Sequence, residues 1–106
     1  MPTFLIKASY TAEGTRGLLK DGGTGRKEAV EALVNSRGGT MKGFYYAFGD
    51  DDLYIICDLP TNADLAAVSL TINASAGAKV KAVTLLDVEE IDEAVQKAVR
   101  YRPPGT

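Results

Sequence analysis

The 106-residue sequence has no histidine, no tryptophan and a single cysteine, Cys57. Without histidine, Ser-His-Asp and Cys-His nucleophile pairs, histidine metal clusters and histidine-ligated haem are all excluded. Any chemistry must run on carboxylates, lysine, tyrosine, arginine or a bound cofactor, and no cofactor is expected. A lone cysteine cannot close an internal disulfide, which points to a reducing, cytoplasmic setting. Charge of one sign is also missing: 12 basic residues face 14 acidic ones, and no like-charge block exceeds the three aspartates at 50–52. Neither nucleic acid nor an anionic membrane is therefore expected as a partner. The opening residues Met1 to Lys7 lack a basic stretch followed by a long apolar one, and no apolar run reaches the length of a membrane span. No signal peptide and no membrane segment are expected.

What is present is an ordinary globular balance, 45% hydrophobic and 25% charged, in a chain long enough for one modest core. A single domain over residues 1–106 is expected. Residues 3–10 alternate, with Phe4, Ile6, Ala8 and Tyr10 on one side and Leu5, Lys7 and Ser9 on the other, which predicts a strand. A short helix capped by Thr11 runs to Lys20, and Gly22-Gly23 breaks it. A second helix then begins with Thr24 as N-cap and extends over 26–36, placing Ala29, Val30, Leu33 and Val34 at helical spacing.

The stretch 44–57 holds two aromatic-rich apolar runs split by Gly49 and three aspartates. It predicts strands over 40–48 and 53–59, joined by a turn at 49–52 in which Gly49 and an aspartate take the unusual dihedrals. Thr61 caps the next helix, where Leu65, Val68 and Ile72 form a stripe widened by Ala66, Ala67, Leu70 and Ala74, so packing on more than one side is expected. Residues 78–86 alternate again. Asp87 and Glu90 have capping-box spacing and open a terminal helix over 87–102, with 103–106 as a tail.

The order strand, helix, strand, strand, helix, strand predicts an α+β fold, the ferredoxin-like βαββαβ sandwich, with an added C-terminal helix. One sheet face then has no helix over it. By alternation that face carries Leu5, Lys7, Ser9, Tyr45, Ala47, Tyr54, Ile56, Asp58, Lys81, Val83 and Leu85. An apolar patch of this size points to an interface, with self-association sheet on sheet as the economical solution.

The residues that begin the chain, Met1-Pro2-Thr3-Phe4-Leu5-Ile6, resemble the GYD-domain family in company with several later blocks. These are Tyr10-Thr11-Ala12-Glu13-Gly14, Gly39, the aromatic strand into Gly49, and Asp52 followed by an apolar strand and Pro60. The resemblance covers about residues 1–86. In the name motif, Gly49 and Asp52 match, while Asp51 stands at the tyrosine position. The resemblance implies a ferredoxin-like fold of the dimeric α+β barrel kind and brings no assigned reaction.

Several clusters are candidates for chemistry. The aspartates at 50–52 offer oxygen ligands, but neighbouring side chains on extended backbone point to opposite faces, so a polar turn is the better reading and no metal is expected. Lys42-Gly43-Phe44 begins like an RNA-recognition block, yet Tyr45 and Gly49 break the pattern. Gly22-Gly23-Thr24-Gly25-Arg26-Lys27 lacks phosphate-loop spacing, although Thr24, Arg26 and Lys27 could hold an anion at a helix start. The favoured constellation is Lys7, Asp58 and Tyr45 as reactive groups, with Ser9, Tyr54, Lys81 and Tyr10 as ligand contacts on or beside the open face.

Three functions follow from this arrangement. One is a homodimer, or higher oligomer, that binds a small molecule between the open sheet face and its partner. Another is a cofactor-independent enzyme of isomerase, lyase or oxygenase type on a small carbonyl or aromatic compound, using Lys7, Asp58 and a tyrosine. The third is a purely structural oligomer in which an ion pair among tyrosines fixes register.

Overall fold

A computed structural model describes residues 1–106. The elements run β1 (Thr3–Tyr10), α1 (Ala12–Ser36), β2 (Thr40–Tyr46), β3 (Leu53–Asp58), α2 (Asn62–Ala74), β4 (Ala78–Leu85) and α3 (Val88–Val95). The four strands form one sheet in the order β2-β3-β1-β4, antiparallel at every pairing. This is the expected ferredoxin-like α+β sandwich. Period-2 alternation sends Phe4, Ile6 and Ala8 of β1, Leu53, Ile55 and Cys57 of β3, and Val80 of β4 into a buried core. Val34 of α1 and Val68 of α2 close over them.

Helix α1 is interrupted where the glycines are expected to break it: Gly22 leaves helical geometry, at φ 77° and ψ 168°, and divides α1 into two helical segments across a kink. That region is open only to glycine, so one residue redirects the chain and the helix resumes at Gly23. Thr24 therefore lies within the helix and is not its N-cap. Tyr46 fixes the bend by donating from its hydroxyl to the Gly23 carbonyl at 3.1 Å. Thr11 caps α1 as expected, accepting from the Gly14 amide at 3.1 Å.

The central hairpin is shorter than its aromatic run. β2 stops at Tyr46 and not at Phe48, because Phe48 takes a left-handed φ of 57°. Phe48, and not Gly49, carries the positive φ of this loop. Its ring stacks on Tyr46 with centroids 6.0 Å apart, which offsets part of the strain. Lys42 is the extra residue of a bulge in β2, since Met41 pairs with Cys57 and Gly43 with Ile56.

Both later helices also depart from the prediction. α2 buries Val68 and half-buries Leu65 and Ile72, but Ala66, Ala67, Leu70 and Ala74 stay exposed, so it packs on one side only within this chain. α3 opens with the expected capping box of Asp87 and Glu90. It ends at Val95, well short of residue 102, and none of its residues is buried. An eight-residue helix that buries none of its residues has little besides its cap to hold it, and further turns are not sustained.

Candidate functional site

Strand register arranges the open sheet face in cross-strand rows. The first row runs Tyr45, Tyr54, Lys7, Lys81 across all four strands. The second is Gly43, Ile56, Leu5, Val83, and the third is Thr40, Asp58, Thr3, Leu85. Directly opposed residues in antiparallel strands share a face, so each row is a contiguous strip. Tyr45 is 63% exposed and Val83 43% exposed, showing that this face has no helix over it. Tyr45 lies back over Gly43, where a Cβ would stand 3.0 Å from the ring.

Lys7 and Lys81 face each other directly, an unfavourable pairing of like charges. Asp51 relieves it. Although charged, Asp51 is only 6% exposed; its Oδ1 accepts from the Ser9 hydroxyl at 3.3 Å and lies 3.8 Å from the Lys81 ammonium. The neighbouring aspartate serves the backbone, with Oδ2 of Asp52 accepting from the Tyr10 amide at 2.8 Å. Asp50 remains exposed. The aspartate triplet is thus divided three ways, and no three metal-ligating side chains come together anywhere in the chain.

The expected reactive set does not assemble as a unit. The structure brings together Lys7, Tyr45, Tyr54, Lys81 and Ser9, and leaves Asp58 and Tyr10 outside. Asp58 is on the same face as Lys7 and on the adjacent strand, but it pairs with Thr3, four residues away from Lys7 along β1. That separation is about 13 Å at the rise of an extended strand. Both oxygens of Asp58 are engaged: Thr3 donates its hydroxyl to Oδ1 at 2.5 Å, and the Lys42 ammonium sits 2.9 Å from Oδ2. The Thr3 hydrogen bond, followed by that of Lys42, holds the Asp58 carboxyl below its ordinary pKa. A carboxylate so stabilised is a weak base, which removes the observation that would make it a proton acceptor.

Tyr10 falls on the other side of the sheet. It extends the row of Phe4, Ile6 and Ala8, packs against the core and faces the helices. Burial raises its phenol pKa; the Tyr46 hydroxyl adds to the rise and Arg26 opposes it. The residues expected to form an anion site are also split. Thr24 and Lys27 are exposed, whereas Arg26 is half-buried, turned toward Tyr10 and 3.6 Å from Asp21. Cys57 is wholly buried, and burial with the adjacent Asp58 charge pushes its thiol up to about 11.

Asp51 is the site residue that sequence reasoning did not select. Its position in a run of three aspartates offered no reason to separate it from its neighbours. The one signal was its place at the tyrosine position of the motif beside Gly49.

The family model described as the GYD domain matches residues 4–95, a span from β1 through α3. No curated protein and no solved structure matches the chain.

Proposed function

The chain belongs to the GYD-domain family, and from that premise we propose that it is a homo-oligomeric protein binding a small molecule between its open sheet face and a second copy. The observation that carries the reading is the row Tyr45, Tyr54, Lys7, Lys81, with the shielded Asp51 beside it, on a sheet face that no helix of the chain covers. Leu5, Ile56 and Val83 in the next row supply the apolar area that a stable contact needs. Two cations, one carboxylate and two phenols at one end supply recognition of a small acid or phenol.

The enzyme reading draws less support. Its base and its lysine are four residues out of register, and Asp58 is committed to Thr3 and Lys42. A purely structural oligomer could use the Asp51–Lys81 pair to fix register, but it gives no role to Lys7, set directly opposite Lys81 on the same face. Sedimentation equilibrium tests the assembly: a dimer or larger species is expected, and Ile56→Lys should yield a folded monomer. A monomeric parent protein at tens of micromolar would overturn the proposal. A thermal-shift panel of small acids and phenols tests the ligand, with Lys7→Met expected to abolish any shift from this face.

A further inference from the structure

On the opposite side of the sheet the molecule opens where β1 ends. A cleft of about 480 Å³ lies between the first half of α1, the end of α2 and the start of β4, and Glu13, Asp21, Arg26 and Tyr10 are its ionisable lining groups. Beneath it is a smaller slot of about 90 Å³ walled by Val30, Leu33, Ile55, Ile72 and Val80. Tyr10, Arg26, Ile72 and Ala78 line both, so the polar cleft and the apolar slot share a boundary. The bend at Gly22 shapes the α1 wall. Close backbone packing of Gly14 on Gly77, together with the Thr11 amide donating to the Gly77 carbonyl at 3.0 Å, pins its far end.

The charged groups are arranged for a ligand of both signs. Arg26 stands at the slot mouth beside the Tyr10 hydroxyl, with a loose 3.6 Å bridge to Asp21, and its guanidinium has more donors than these contacts use. Tyr10 beside it is an ordinary phenol that holds its proton at neutral pH, and burial only raises its pKa further, so it is a neutral donor. Glu13 and Asp21 are acceptors in the outer cleft and outnumber the single cation. A simple anion would meet two carboxylates, and a simple amine entering the slot would meet Arg26. Thr71 and Ser75 already donate their hydroxyls to the Ala67 and Ile72 carbonyls, which leaves orientation to the charged groups and Tyr10.

We propose that this cleft binds a small zwitterion with an apolar tail, the chemistry of an aliphatic α-amino acid. Its carboxylate meets Arg26 and Tyr10, its ammonium meets Asp21, and its side chain fills the slot. An isobutyl-sized group suits a space of about 90 Å³. The site is independent of the sheet-face assembly, since none of its lining residues belongs to the rows described above.

L-leucine titrated into the ¹⁵N-labelled protein tests the proposal, with 4-methylpentanoate and isoamylamine as the matched acid and amine. Saturable shifts at Tyr10, Ile72 and Ala78 are expected, with leucine binding at least about tenfold tighter than either analogue, the loss typical of one charge-assisted contact. Arg26→Gln should weaken leucine by a similar factor, whereas Lys20→Gln, an exposed cation of α1 that lines neither space, should leave it unaltered. No saturable shift with leucine, equal affinity for either analogue, or shifts confined to Tyr45, Tyr54 and Lys81 would overturn it. The analogue comparison uses the parent protein, so the test stands even if Arg26→Gln fails to fold.

Discussion

An alanine methyl at position 14 would collide with the carbonyl oxygen of Gly77, a backbone atom that cannot rotate away. At position 17, one turn along the same helix, the methyl would meet nothing. The two substitutions should have opposite signs. Gly14→Ala is expected to cost about 1–3 kcal/mol through overpacking, and Gly17→Ala to add about 0.5–1 kcal/mol by stiffening the helix; urea unfolding of each variant measures both. Cys57 makes a second residue-scale case. It is fully buried with its thiol pushed up to about 11, so little thiolate forms at neutral pH. Labelling by a thiol reagent should follow global unfolding, and rapid stoichiometric reaction in native buffer would contradict this environment. The backbone collision at Gly14 joins residues 63 positions apart and is invisible to local pattern, although the glycine itself was conspicuous in the Tyr10–Gly14 block.

Elements were legible where their signals are local. Alternation marked β1 and β4, hydroxyl caps marked the starts of α1 and α2, and the Asp87/Glu90 box marked α3. The errors came where one residue's dihedral or a missing neighbour overrides propensity: the kink at Gly22 lets the second segment of α1 start at Gly23 with no Thr24 cap, Phe48 cuts β2 short, and α3 buries none of its residues. α3 exposes Val88 and Val95 at 72% and 71%, so it contributes no burial to the sandwich. Removing residues 87–106 should leave the thermal midpoint of the remaining domain within about 2 °C, because a stability change that small corresponds to less than 1 kcal/mol. A larger fall, measured by circular dichroism, would mean that the stripe of Val88, Ile91 and Val95 packs in solution.

At the scale of the molecule, two aspartates tie distant parts together. Asp58 holds β3 to Thr3 of β1 and to Lys42 of β2, while Asp64 accepts a two-pronged contact from Arg37, 3.0 Å from Nε and 2.8 Å from Nη2, just beyond the end of α1. Asp64 is held below its ordinary pKa by the Thr61 hydrogen bond and then by Arg37, as Asp58 is by Thr3 and Lys42. Because both folded values are depressed, their stabilisation is complete above the unfolded value of about 3.9 and is lost as pH falls through the folded values. Thermal melts should be flat from neutrality to mild acid and fall below that point, and Asp64→Asn should melt lower at neutral pH with a shallower acid decline. A radius of gyration of 17.0 Å, against about 13 Å for a compact chain of this length, accords with residues 86–106 being exposed throughout. The sequence by itself determined the order of elements, their caps and which residues share a sheet face, because these depend on periodicity and on contacts within a few residues. Only the tertiary structure decided which charges meet: strand register sets Asp58 four residues away from Lys7, and the chain folds Asp51 onto Ser9, 42 residues earlier. Register and loop path are set by packing between segments far apart in the chain, so local spacing carries no trace of them.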